Sequence, residues 1–356
     1  MTRTARAAAP GSVMPTASSS LIFWGLLSAA WLGIAGGAAC SPIQTDGPRV
    51  LASPAVSHAP EHPAPPAQAT DTLGDGTFEQ PPPYLAPPET LSRRSGVPEG
   101  KVSAPAHYAS RAAYPGLSFE YEIYVPAQYD PNKPAALIVF QDGVHYLSFT
   151  EAKFNSQNTF DNLIAAGEMP VTIALFINPG TPSGTYHYPE EQALRRTQYD
   201  ALDDTYGKFL LDEIIPDLIT SQYNIVSDPE GWAIGGHSSG GICAFTVAFN
   251  HPEKFRKVLT HNGSFVNISG GDAYPRLIRS EAPKPLRVML LSGTHDISSE
   301  RGNWLAANVA MAAALAEQHY HYRFRSGEGE HYPPAQAVAD YPDALRWLWR
   351  GYALPK

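Results

Sequence analysis

The sequence predicts an α/β fold, with a mostly parallel central sheet and helices on both of its faces. Short continuous apolar runs such as "AALIVFQD" and "VTIALFI" are bounded by turn residues, as strands buried on both faces require. Between such runs lie longer segments with apolar residues at helical spacing. The stretch "WAIGGHSSGGICAF" adds a third sign, crowding small residues between a strand-like and a helix-like flank. A backbone bent that sharply leaves no room for larger side chains.

The elements follow in order from about "SGVPEGKV". "FEYEIYVP" alternates with period two, and the two apolar runs come next as strands. "YGKFLLDEIIPDLITSQY" reads as a helix, with Pro216 predicting a kink. "GWAIGG" is a short strand, followed by a helix from Ser239 to about Asn250. "LRVMLLSG" is a strand, "NWLAANVAMAAALAEQ" a helix, "YRFRSG" a strand and "YPDALRWLWRGY" a closing helix. No internal repeat interrupts this alternation.

Residues 94–356 are therefore expected to form one α/β domain, and what precedes them reads differently. Arg3 and Arg6 open a positive start, and "LIFWGLLSAAWLGIAGGAA" is an uncharged apolar run ending in small residues. Residues 1–39 thus predict an export signal or a membrane anchor. Small residues before Cys40 resemble the lipobox of bacterial lipoproteins, with Gly37 where that box usually has leucine. Cys40 is accordingly a candidate for lipidation, which would hold the protein at a membrane outside the cytoplasm. Residues 40–93, rich in Pro and Ala, read as a disordered tether. The other cysteine, Cys243, reads as a small buried apolar residue. A formal charge of −9 argues against nucleic acid as a partner.

Gly236-His237-Ser238-Ser239-Gly240 fits the G-x-S-x-G turn, in which the central serine is a strained, exposed nucleophile between strand and helix. Register selects Ser238, because Ser239 would need glycine where His237 stands. A serine nucleophile needs a histidine base, and the base needs a carboxylate, in the chain order Ser, acid, His. "LRVMLLSGTHD" ends on Asp296 and "GEGEH" on His331, each just past a strand. Glu300 is a second candidate acid and His261 a rival base, while His251 reads as a helix-end cap. His319 and His321 lack an acidic partner at metal-ligand spacing. For the oxyanion, the Ser239 amide opens a helix, and the loop Gln141-Asp142-Gly143-Val144 offers a second donor.

With these residues in place the chain resembles the putative esterase family of α/β hydrolases, which includes enterochelin esterases, feruloyl esterases, esterase D and the mycolyltransferases. The carriers are "YEIYVPAQYD", "VFQDGVHY", "IGGHSSGG", "LSGTHD" and "GEGEH", and the resemblance spans nearly all of Val97 to the C-terminus. "DNLI", "NPG", "GNW" and "LRWLW" point to the enterochelin-esterase-like branch. The resemblance implies Ser238 as nucleophile, Asp296 as acid and His331 as base. It also implies an Asp-Gly loop at Asp142 and Gly143, with the oxyanion amide at Val144. Asp142, Arg196 and Trp304 are the candidate substrate contacts. Many relatives carry an arginine followed shortly by a glutamate in the stretch matching "LRRTQYDAL", where this chain has Gln198. Tyr186 and Tyr188 are candidates for stacking an aromatic or sugar group at the mouth.

The expected activity is carboxylic ester hydrolysis by an exported serine esterase through an acyl-enzyme, with no metal or organic cofactor. A small-molecule or glycan ester is the expected substrate. Acyl transfer by the same residues, or a non-catalytic lipoprotein that binds siderophore or glycan, are the alternatives.

Overall fold

The computed structural model describes residues 74–147 and 154–355. The segment 1–39, Cys40 and the tether up to residue 73 lie outside the described residues. A ten-stranded sheet organises the rest. In chain order the strands are β1 (Gly76–Gln80), β2 (Lys101–Val102), β3 (Ala106–Ala109), β4 (Ser118–Val125), β5 (Ala136–Gln141), β6 (Thr172–Ile177), β7 (Trp232–His237), β8 (Lys257–His261) and β9 (Arg287–His295). A two-residue hairpin, β10 (Ser298–Ser299) with β11 (Gly302–Asn303), precedes the last strand, β12 (His321–Glu330). The spatial order is β1-β12-β9-β8-β7-β5-β6-β4-β2, with β3 also paired to β4. From β1 to β6 every neighbouring pair is parallel, and β4, β2 and β3 add an antiparallel margin.

The continuous apolar runs are explained by the two cores they feed. In β5, Leu137 and Val139 face one layer, with Ile242 and Phe245 of α6 (Ser239–Asn250) and Met311 and Leu315 of α8 (Trp304–Glu317). Ala136, Ile138 and Phe140 face the other, with Phe160 of α3 (Ser156–Ala165) and Tyr341 and Leu345 of α9 (Ala335–Trp349). Alternation between two buried faces leaves no polar position to interrupt the run. Each such side chain withdrawn from water contributes roughly 1.5–3 kcal/mol. Cys243 is buried in the first layer.

The helices α1 (Pro88–Leu91), α2 (Gly143–Leu147), α4 (Gln192–Tyr199) and α7 (Tyr274–Ser280) complete the set with α5 (Thr205–Lys208). The last of these runs on into a π-helical stretch, Phe209–Thr220, with Pro216 inside it. Among the described residues no helix is long and apolar enough to cross a membrane.

One boundary differs from the sequence expectation. The tether was expected to reach residue 93, but β1 lies on β12 from Gly76↔Arg323 to Gln80↔Gly327. Its stability comes from main-chain pairing along that edge and from the Arg323 guanidinium, 4.7 Å from the Phe78 ring centre. α1 is likewise held, since Asn155 Nδ2 donates to Thr90 O at 2.7 Å and Arg346 pairs with Glu89 at 2.7 Å. Neither kind of contact leaves a hydrophobic period in so short a segment.

Candidate active site

β7 is buried along its whole length and ends in the turn that carries Ser238. Ser238 has φ 58° and ψ −121°, a conformation costly for any residue with a Cβ. The surrounding structure holds it there: its N–H donates to His261 O at 2.9 Å, and its carbonyl accepts from Gly241 N at 3.0 Å and Ser264 N at 3.1 Å. Gly236 is dictated by space, because a Cβ there would lie 2.3 Å from the Gly240 backbone. Ser238 is the one residue of 232–240 that is not buried, so its hydroxyl is reachable.

Two strand ends build a line of partners to that hydroxyl. His331, just past β12, places Nε2 2.9 Å from Ser238 Oγ. Its Nδ1 lies 2.6 Å from Oδ1 of Asp296, just past β9. The other carboxylate oxygen, Oδ2, accepts from Asn262 Nδ2 at 2.7 Å and Ser292 Oγ at 2.6 Å, and Oδ1 also accepts from the Ile297 amide at 2.8 Å. Burial alone would raise the Asp296 carboxyl, but the bond to His331 and its charge, with Ser292 and Asn262, hold it below the ordinary carboxylate range. Asp296 is therefore an anion, to which Nδ1–H of His331 donates, and in the neutral ring Nε2 is then the acceptor facing Ser238. The structure thus brings Ser238, Asp296 and His331 together.

The rivals are elsewhere. Glu300 is exposed and sits by Arg301. His261 is fully buried on the opposite face of the sheet, stacked on Phe154 with Nδ1 3.1 Å from the Tyr146 hydroxyl. His251 closes α6 and pairs with Asp204 at 2.5 Å. His321 pairs with Asp75 at 2.8 Å.

His237 was quoted in the motif without a role. Its ring lies 4.8 Å from that of His331, and its Nε2 is 3.0 Å from the His331 carbonyl. A carbonyl only accepts, so His237 is the donor. Burial first, then closeness to the titratable rings of His331, His145 and His261 and to the Arg195 cation, pushes its basicity well below the usual histidine range. It stays neutral and pins the loop that carries His331.

On the other flank the expected substrate contacts have partners within the protein. Asp142 was a candidate substrate contact, but its carboxylate is taken by Arg195, with Nε to Oδ1 at 2.8 Å and Nη2 to Oδ2 at 2.6 Å. The Asp142 carboxylate is buried and the Arg195 side chain half-buried, and the pair braces Asp142 at φ 56°. Arg196, the other expected contact, instead donates to Gln192 Oε1 one turn back at 3.0 Å. Arg195 is the arginine of the site, and helical spacing had a sign of it: Tyr199, four residues on, is fully buried, and Arg195 lies over its ring. Gln198 both accepts from Gly180 N and donates to Gly180 O, each at 2.8 Å. A glutamate could not make the second bond.

The Val144 amide is not free. It donates to Asn178 Oδ1 at 3.1 Å, while Asn178 Nδ2 donates to Glu120 Oε1 at 3.0 Å, which fixes the direction of the amide group. Gly143 before it has no room for a side chain, since a Cβ would lie 2.6 Å from the Phe176 backbone. Ser239 opens α6, so its N–H has no acceptor within the helix. Trp304 is 4% exposed, with its indole N–H on Ser264 Oγ at 3.2 Å, and so forms a wall behind His331. Tyr186 is half-buried near Arg195 and Asp142, and Tyr188 is exposed. Among the described residues no group of three His, Cys, Asp or Glu could hold a metal ion.

A largely parallel sheet with a strained serine at the turn after a central strand defines the α/β-hydrolase fold. Residues 113–347 match the family described as Putative esterase, and the chain belongs to that family. Its fold is similar to that of an enterobactin esterase from Shigella flexneri, with TM-score 0.57 and 18% identity over 75% of this chain and 63% of that one. A ferulic acid esterase from the anaerobic fungus Anaeromyces mucronatus gives TM-score 0.54 and 14% identity over 74% of this chain and 96% of that one. An uncharacterized protein of Corynebacterium glutamicum is 28% identical over 31% of this chain and 28% of its own length. The chain thus spans little more than a quarter of that relative and under two thirds of the enterobactin esterase.

Proposed function

We propose that the protein is a serine carboxylic ester hydrolase in which Ser238 is the nucleophile, His331 the base and Asp296 the carboxylate that holds it. The single observation that carries this is the line Asp296 Oδ1–His331 Nδ1 at 2.6 Å and His331 Nε2–Ser238 Oγ at 2.9 Å. His331 Nε2 takes the Ser238 proton as Oγ bonds to the ester carbonyl carbon. The same proton goes to the departing alkoxide, leaving an acyl-enzyme. Water then attacks that acyl group, giving its proton to Nε2, and Oγ leaves with the proton returned. The Ser239 amide is one donor to the carbonyl oxygen as it becomes negative. The second comes from the Gly143–Val144 turn, where Val144 N–H must share its hydrogen with, or be released by, Asn178.

Membership of the esterase family and the fold of the enterobactin and ferulic acid esterases support an ester of a siderophore or of a feruloylated glycan as substrate. The uncharged apolar run after Arg3 and Arg6, ending at Cys40, supports export and tethering at a membrane.

Ser238→Ala tests the assignment. Hydrolysis of a p-nitrophenyl acylate and of feruloyl and triserine-lactone esters should fall by at least about 10³-fold with the fold intact. Undiminished turnover by this variant would refute the nucleophile.

A further inference from the structure

We propose that Ser264 is a further catalytic residue, whose hydroxyl donates to Ser238 Oγ in a polarity imposed by the indole of Trp304. The inference rests on Ser238 acting as nucleophile, and it concerns groups beyond the three already assigned.

Ser264 follows β8 and is 1% exposed. Its Oγ lies 3.2 Å from Ser238 Oγ and 3.2 Å from Trp304 Nε1. Two hydroxyls at this distance can in principle donate either way, but the neighbours remove the choice. Nε2 of His331 is a bare acceptor, so the Ser238 hydrogen points to it. The indole N–H can only donate, so it takes a lone pair of Ser264 Oγ. The Ser264 hydrogen is left to turn toward Ser238 Oγ, which has lone pairs to receive it.

The position is built to be rigid. The Ser264 amide donates to Ser238 O at 3.1 Å, tying the two serines through their backbones as well. Asn308 of α8 donates to the preceding carbonyl, Gly263 O, at 2.9 Å. Trp304 opens α8, where Asn303 Oδ1 caps Ala306 N at 2.8 Å, and its own amide bonds Ile297 O at 2.9 Å. The indole is therefore fastened to the same loop that carries Asp296. With both side chains buried, water does not compete for this donor, which strengthens it.

A donor on Oγ acts at two moments. It stabilises the oxygen while the proton leaves for Nε2 and the bond to the carbonyl carbon forms. It does so again when the C–Oγ bond breaks and its electron pair returns to Oγ. Ser264 keeps its own proton throughout, so its removal lowers rates without moving the pH profile.

The full chain is tested with a fluorophosphonate probe, which reads the reactivity of Oγ directly, and with single-turnover ester hydrolysis. Ser264→Ala should slow labelling and kcat by about tenfold, the loss of one hydrogen bond at a reacting oxygen, with KM within about twofold. The acid limb of the pH profile should stay in place. Trp304→Phe, which frees the polarity of Ser264, should cost less, about threefold, and Ser264→Ala/Trp304→Phe together no more than Ser264→Ala alone. Ser264→Cys keeps the volume with a weaker donor and should fall between, which gives the reading should the alanine variant not fold. Wild-type labelling by Ser264→Ala or by Ser264→Cys, or losses that multiply in the double variant, would overturn the inference while Ser238→Ala stays unlabelled. Labelling of Ser238→Ala at the wild-type rate would instead overturn the nucleophile itself.

Discussion

On one side of Ser238, the chain beyond β8, β9 and β12 delivers Ser264, Asp296 and His331 into a line of side-chain hydrogen bonds that ends on the hydroxyl. On the other, β5, β6 and α4 deliver Asp142, Asn178 and Arg195 into contacts that end on the backbone. There Arg195 clamps Asp142 at a positive φ, Asn178 holds the Val144 amide and Gln198 ties both ends of the Gly180 peptide. In the proposed mechanism the first flank handles protons, and the second fixes where main-chain donors stand. Proton handling requires particular groups in a particular order, whereas any side chain of the right reach can brace a turn.

The largest effect should come from the proton-handling flank. Asp296→Asn keeps the size of the side chain but replaces the anion that holds Nδ1–H, freeing His331 to adopt the wrong tautomer. We expect kcat to fall about 10³- to 10⁴-fold with KM little changed, read by steady-state kinetics on a soluble ester. A loss under about tenfold would mean that the two flanks do not differ in kind.

The bracing flank should respond in stability first. Arg195→Gln leaves the Asp142 carboxylate buried without its partner, and denaturant unfolding should show a loss of about 3–5 kcal/mol. Activity should fall by about 10- to 100-fold, as displaced amides act like any misplaced group. Adding Asp142→Asn removes the stranded charge, and stability should return in large part while activity does not. If both recover together, Asp142 is only a packing residue; if neither does, the clamp is not what Arg195 supplies.

This contrast also governs how much the chain discloses by itself. The two-faced burial of β5 appears directly as an unbroken apolar run, and the turn at Ser238 as glycines where Cβ atoms cannot fit. Asp296 and His331 could be placed because each is the polar residue just past a strand, in the order the chemistry needs. Arg195 and Arg196 are chemically identical, and only the buried face marked by Tyr199 separates them. Asn178 is silent because the Val144 amide it engages is a backbone group 34 residues upstream in no repeating pattern. Trp304, in "GNW", entered as a candidate substrate contact. Its burial behind His331 depends on how α8 is anchored, which is a tertiary fact. The edge strand β1 went unread for a related reason, since its partner β12 lies more than two hundred residues away.

The smallest effect on activity should come from His261, which ends β8 next to the proton-handling flank yet faces the opposite core. Burial lowers its basicity to about 3, so it remains neutral in the folded protein at any pH the enzyme would meet. The unfolded chain, with an ordinary histidine, takes up a proton as pH falls below about 6.5. Folding stability held by this group is therefore complete above that value and drains as pH falls toward 3. Two buried carboxyls act with the opposite sign, because burial raises Asp200 to about 6 and Asp340 to about 7. Comparing His261→Phe with the parent cancels their contribution. Between pH 7 and pH 5 the variant should lose about 2 kcal/mol less stability than the parent, by urea unfolding at each pH. Its kcat at pH 7 and the acid limb of its rate profile should match the parent, since the proposed proton relay ends at His331. A shifted limb would bring His261 into the relay, and an unchanged pH dependence of stability would mean that its ring is protonated in the fold.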